Sequence, residues 1–129
     1  MPSKCVGNER AQHYKDLVAW QKAMDLVTDV YKVTDHFPPK EISSLTNQMR
    51  RAAGSVPSNI AEGQALYNPK EFLHFLRHSA GSLAELETQA IIAQRLNYLG
   101  QDETDQLLQR LHEGGRILSG LINSLRTER

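Results

Sequence analysis

The chain holds a single cysteine, Cys5, in 129 residues. No disulfide can close within it, and a thiol-sparse chain of this kind is expected in a reducing cytoplasm. It also lacks an excess of either charge. Fifteen Lys and Arg face fifteen Asp and Glu, with eight basic against seven acidic over residues 1–63 and seven against eight over 64–129. A protein that grips phosphates nonspecifically needs clustered basic residues, so a basic arm is excluded, although a local patch remains compatible with a neutral total. No apolar run approaches the roughly 20 residues of a membrane span, and the opening MPSKCVGNER has no apolar signal core. Neither a membrane partner nor a secretory leader is expected. Strand-like alternation is absent throughout, which removes the β classes.

What is present is helical periodicity. Residues 1–12 show none and are expected to form a loose tail, leaving 13–129 as one domain. From Tyr14 onward, Leu17, Trp20, Met24, Val27 and Tyr31 recur in steps of three and four, one apolar helix face. The HFPPKE stretch stops this helix, and Pro39 suits the first turn of the next. A second stripe runs through Ile42, Leu45, Met49, Ala52, Val56 and Ile60. A third helix is announced by Asn68 as N-cap, Pro69 at the first helical position and Glu71 at the third. Its face comprises Phe72, Leu76, Ser79, Leu83, Leu86, Ala90 and Ala93, with Gly100 expected as the C-cap. A fourth stripe, from about Asp102, uses Leu107, Leu111, Gly114, Leu118, Leu121 and Leu125. Four amphipathic helices on short connections predict an all-α, up-down-up-down four-helix bundle.

The second helix holds an anomaly, MRRAAGSVPSNIAEG, with glycine, serine and proline at its centre. An interior glycine costs about 1 kcal/mol and an interior proline about 3, so something must offset them. On a wheel, Arg50, Gly54, Pro57 and Ala61 form a low-bulk stripe turned away from the core face. If helices two and three form a hairpin turning at Tyr67–Asn68, Gly54 and Gly81 lie at the same height. The expectation is a close helix contact or an oligomer interface at Gly54, Pro57, Ala61 and Gly81, with Gly114 and Gly115 a further small site; the alternative is a local kink at Pro57.

Catalytic and metal motifs are sparse. Glu71 and His74 make one Glu-x-x-His, but a di-iron bundle needs a second such motif and two more glutamates. His74 and His78 are four apart and lack a third ligand. There is no phosphate loop, no Gly-x-Ser-x-Gly elbow and no Cys-x-x-Cys, so no catalytic residue, cofactor or metal is expected.

The words NQMRRAAGSVPSNIAEG, KEFLHFL and GSLAELETQ, with YKDLVAWQKAMDLV before them, resemble the bacterial four-helix-bundle family encoded in intervening sequences of 23S rRNA genes, over about Tyr14 to Leu125. Its distant relatives include basic accessory proteins of diversity-generating retroelements, which associate with nucleic acid and a reverse transcriptase. The resemblance implies a bundle that assembles as a homopentamer and has no established enzymatic activity. It also implies RNA or an RNA-processing protein as partner. The chain departs from the family where QALYN follows AEG and where Ala80 precedes Gly81, two places at which members commonly carry a basic residue.

Arg50 and Arg51, the one adjacent basic pair, carry two readings. They contact phosphate, or they pair with acids within or between chains; hairpin spacing sets Glu85 level with Arg50 and Glu87 a half-turn beyond. A gathering of Glu62, Glu85 and Glu87 for acid–base work has no nucleophile or metal partner at a matching position. Two functions follow: a noncatalytic oligomeric bundle that binds RNA or an RNA-processing partner, or a structural or protein-interaction module with no nucleic-acid role.

Overall fold

The structure is a computed structural model that describes residues 13–127. The expected tail over 1–12 lies outside the described residues. Four α-helices carry the fold: α1 Val18–Thr34, α2 Leu45–Ala65, α3 Pro69–Arg95 and α4 Gln101–Thr127. Single-turn 3-10 helices at Tyr14–Asp16 and Pro39–Glu41 flank α1, and no strand occurs among the described residues. Consecutive helices pack on one another and α4 returns against α1, closing a four-helix ring around one apolar core.

The sequence signals explain most of the boundaries. Asn68 caps α3: its side chain accepts from the backbone N–H of Lys70 at 3.0 Å and of Glu71 at 3.1 Å, with Pro69 behind it at the first helical position. Pro39 begins only a 3-10 turn, and α2 starts six residues later than the proline suggested, at Leu45. There the Glu41 carboxylate accepts from Leu45 N–H at 3.3 Å and from the Ser44 hydroxyl at 2.6 Å. Gly100 does not cap α3. Asn97 takes the left-handed conformation at that end (φ 64°), a geometry asparagine tolerates, while Gly100 sits ahead of α4. Its carbonyl accepts from Thr104 N–H at 3.0 Å and its N–H donates to Glu103 Oε1 at 3.0 Å, closing the start of α4.

The core contains the expected faces of α2 and α3 almost in full: Leu45, Met49, Ala52, Val56 and Ile60 against Leu76, Ser79, Leu83, Leu86, Ala90 and Ala93. Ile42 falls outside α2 and is 61 % exposed. On α1 the buried face is Ala19, Ala23, Leu26 and Val30, rotated from the expected stripe, while Met24 and Tyr31 face out. Both arcs of this helix are apolar, so periodicity alone did not separate them; the small Ala19 and Ala23 turn inward where α1 lies against α2 and α4.

Pro57 corrects a further expectation. It is buried, not turned away, and α2 runs unbroken through it. The reason is enclosure. The helix packs against α1 and α3 together, so its buried arc is wide enough to take Ala53, Pro57 and Gln64 beside the expected residues.

Candidate functional site

The α2–α3 hairpin has the predicted register. The Ser55 and Ser82 hydroxyls hydrogen-bond at 2.8 Å, and the fully buried Ser79 hydroxyl donates to the Val56 carbonyl at 2.9 Å. Gly54 and Gly81, each one residue before a member of the serine pair, therefore stand level. Neither is in a close contact among the described residues: a Cβ built on either meets nothing within 4 Å of them. Ala61, two turns further along α2, is half-buried. The glycine that close packing does require is Gly63, where a Cβ would lie 2.7 Å from Phe75 Cβ and 3.0 Å from Phe72 Cδ1. Gly63 and Phe72 are equally far from the Tyr67–Asn68 turn, so the spacing that sets Gly54 level with Gly81 also sets this contact.

The arginine pair separates into two environments. Arg50 is held by the end of α1: its Nε donates to Thr34 Oγ1 at 2.9 Å, its Nη2 lies 3.9 Å from Asp35 Oδ1, and its guanidinium sits 4.6 Å from the Tyr31 ring centroid. Placed beside the last turn of α1, its charge also complements the negative end of that helix. The expected pairing with Glu85 or Glu87 does not occur within the chain. Glu85 accepts from the Gln89 side chain at 3.3 Å, and Glu87 pairs with His112 of α4 at 3.1 Å. The reason is reach: Arg50 lies on the α1 side of α2, so the α1 terminus is nearer than α3. Arg51 is exposed, and among the described residues it makes no hydrogen bond or ion pair.

Elsewhere the polar groups lock helices together. Lys22–Glu113 at 3.4 Å and Asp29–Arg110 at 3.0 Å close the α1–α4 seam, over an open cleft of about 640 Å³. At the end where α1 meets α2 and α3 meets α4, the Tyr98 hydroxyl donates to Glu41 Oε2 at 2.8 Å. Hydrogen bonds from Ser44, Tyr98 and Leu45 hold the Glu41 carboxyl below its ordinary range, and the bond to Glu41 raises the Tyr98 hydroxyl. Sequence spacing offered no route to this clasp, which joins residues 57 positions apart. Among the described residues no three His, Cys, Asp or Glu converge as a metal set, and Glu62, Glu85 and Glu87 do not gather.

With this geometry in place, comparison with known proteins identifies the relatives. Residues 15–120 match the family described as 23S rRNA-intervening sequence protein. The chain belongs to the 23S rRNA-intervening sequence protein family. A crystal structure of a protein with unknown function from the S23 ribosomal protein family, from Bacteroides thetaiotaomicron VPI-5482, superposes with a TM-score of 0.77 over 84% of this chain and 98% of that one. At 17% identity it supports the shared fold of this family member and nothing finer. The chain is also 31% identical, over 81% of its length, to Putative transport protein Rv1101c of Mycobacterium tuberculosis and to the corresponding protein of strain CDC 1551. It spans 31% of the length of those curated relatives. None of the described helices of the present chain is long and apolar enough to cross a membrane.

Proposed function

We propose that this bundle is a noncatalytic, self-assembling protein of the cytoplasm, built to associate with further copies of itself and with a macromolecular partner. The observation that supports assembly is the pair Gly54 and Gly81, level on adjoining helices with empty space over both. Each interior glycine costs its helix about 1 kcal/mol, and no contact among the described residues requires either. A neighbour's helix packed on this small face gives them a reason. Five copies is the number the family resemblance implies. Light scattering at tens of micromolar, a range in which specific interfaces assemble, tests this part, and a strict monomer refutes it.

RNA or an RNA-processing protein is the partner that family context favours, and Arg51 is the residue of the expected pair that remains open to phosphate. A specific observation favours the second reading, a protein-interaction module with no nucleic-acid role: Arg50 is occupied by Thr34, Asp35 and Tyr31. The two are told apart by titrating a structured RNA at several salt concentrations. An RNA binder loses affinity steeply, with a log–log slope of about −0.7 to −0.9 per neutralised phosphate, and Arg51→Gln flattens the slope. Absence of salt-dependent binding leaves the interaction module.

A further inference from the structure

The outer face of α3 near its start carries two histidines one turn apart, His74 and His78, both exposed. Their ring centroids are 4.7 Å apart, with the planes inclined at 79°. We propose that this pair is a two-point chelate for a late first-row divalent cation of the Cu(II) or Ni(II) type. An ion bonded to one nitrogen of each ring at about 2.0–2.1 Å, with the two bonds between square and tetrahedral angles, holds the ring centroids about 4.5–5 Å apart. The 4.7 Å separation lies in that range, and turning the two exposed rings out of their present edge-to-face contact brings one nitrogen of each to a shared ion. Positions i and i+4 share a helix face, so the backbone of α3 fixes the spacing.

The metal class follows from the donors. Two neutral imidazoles with water completing the shell suit a tetragonal cation that accepts nitrogen ligands, and Cu(II) stands highest among the divalent ions for such a site. Zinc sites built to stabilise a fold use four protein ligands, and among the described residues no third His, Cys, Asp or Glu converges here. Exposure allows either ring nitrogen to be presented, and Phe75, whose ring centroid is 5.6 Å from that of His74 and 6.5 Å from that of His78, sits between the two along the chain.

The chelate ties consecutive turns of α3, so metal binding and helix stability are linked: a cation that binds only the folded chain raises its melting temperature. The test uses the full chain and Cu(II) alone in a non-coordinating buffer, read by electron paramagnetic resonance and by thermal melting. One equivalent of Cu(II) is expected to give a nitrogen-coordinated axial signal and an upward shift in Tm. His74→Gln and His78→Gln are each expected to lose both responses, and His112→Gln, on α4, to keep them. Circular dichroism confirms that the variants fold, which their exposure predicts. Uptake that is equal in the wild type and in both variants, or no uptake by the wild type, overturns the proposal.

Discussion

Replacing Arg50 by Gln probes the seam that joins α2 to the end of α1. The lost interactions are a hydrogen bond from a charged donor to Thr34 Oγ1, a cation–π contact with Tyr31 and a long ion pair with Asp35. The first contributes about 1.5–3 kcal/mol, the second about 0.5–1 at a half-exposed ring, and the third close to nothing because the Asp35 side chain is 80 % exposed. Thr34 keeps its own bond to the Val30 carbonyl at 2.7 Å, so no buried hydroxyl is orphaned. The expected loss is about 2–4 kcal/mol, or roughly 6–20 °C in melting temperature for a domain of this size. Arg51→Gln, at an exposed and unpaired side chain, should stay within about 0.5 kcal/mol. Thermal and urea unfolding of both variants beside Thr34→Val and the Arg50→Gln/Thr34→Val double variant measures the coupling directly. Equal stability of the two arginine variants, or additive losses in the cycle, would refute the assignment of Arg50 to α1.

Gly63→Ala should destabilise by about 1–3 kcal/mol, because its Cβ meets Phe75 Cβ at 2.7 Å, while Gly114→Ala should stabilise by about 0.5–1 kcal/mol, since it enters open space beside a small core void of about 10 Å³; denaturant midpoints report both signs. Gln89 is buried with its Oε1 unpaired, so Gln89→Leu should raise the unfolding midpoint, and a fall would show that the amide is satisfied in solution. The Glu41–Tyr98 clasp sets a pH dependence. The lowered Glu41 pKa adds stability above the unfolded value of 4.5 that is lost as pH falls through the folded value, and the raised Tyr98 pKa adds stability below 10.0 that is lost as pH rises through its folded value. Tyr98→Phe should remove the alkaline component and weaken the acid one, as read from melting temperature across pH.

The helical class, the topology and the α2–α3 register were legible because each rests on local repetition: three-and-four spacing, an Asn-Pro start at residue 68, and a short turn that fixes which residues stand level. The rest depended on geometry that repetition does not carry. Met24 and Tyr31 stood in an apolar stripe as regular as the buried one, and only the approach of small Ala19 and Ala23 to neighbouring helices decided which arc turned inward. Spacing from the α2–α3 turn offered Arg50 only Glu85 and Glu87 as partners within the chain, because the ten-residue connection from α1 to α2, with its two prolines, does not reveal how close Thr34 comes. Gly54 and Gly63 look alike as letters. One faces open space and the other two phenylalanine rings, a difference set by the partner helix.

The measurement that bears most directly on the proposed role is the solution mass of wild type and Gly54→Leu, by analytical ultracentrifugation at matched concentrations, with thermal melting on the same samples. Within one chain the leucine side chain starts into open space and replaces a poor helix former, so the fold should be retained and helix propensity should improve by roughly 0.5–1 kcal/mol. If a second copy packs on this face, the same side chain overpacks the interface by about 1–3 kcal/mol, and the wild-type oligomer should give way to smaller species. A folded variant that dissociates where the wild type assembles is the predicted result; a wild type that is monomeric, or a variant that assembles as well as the wild type, would contradict it.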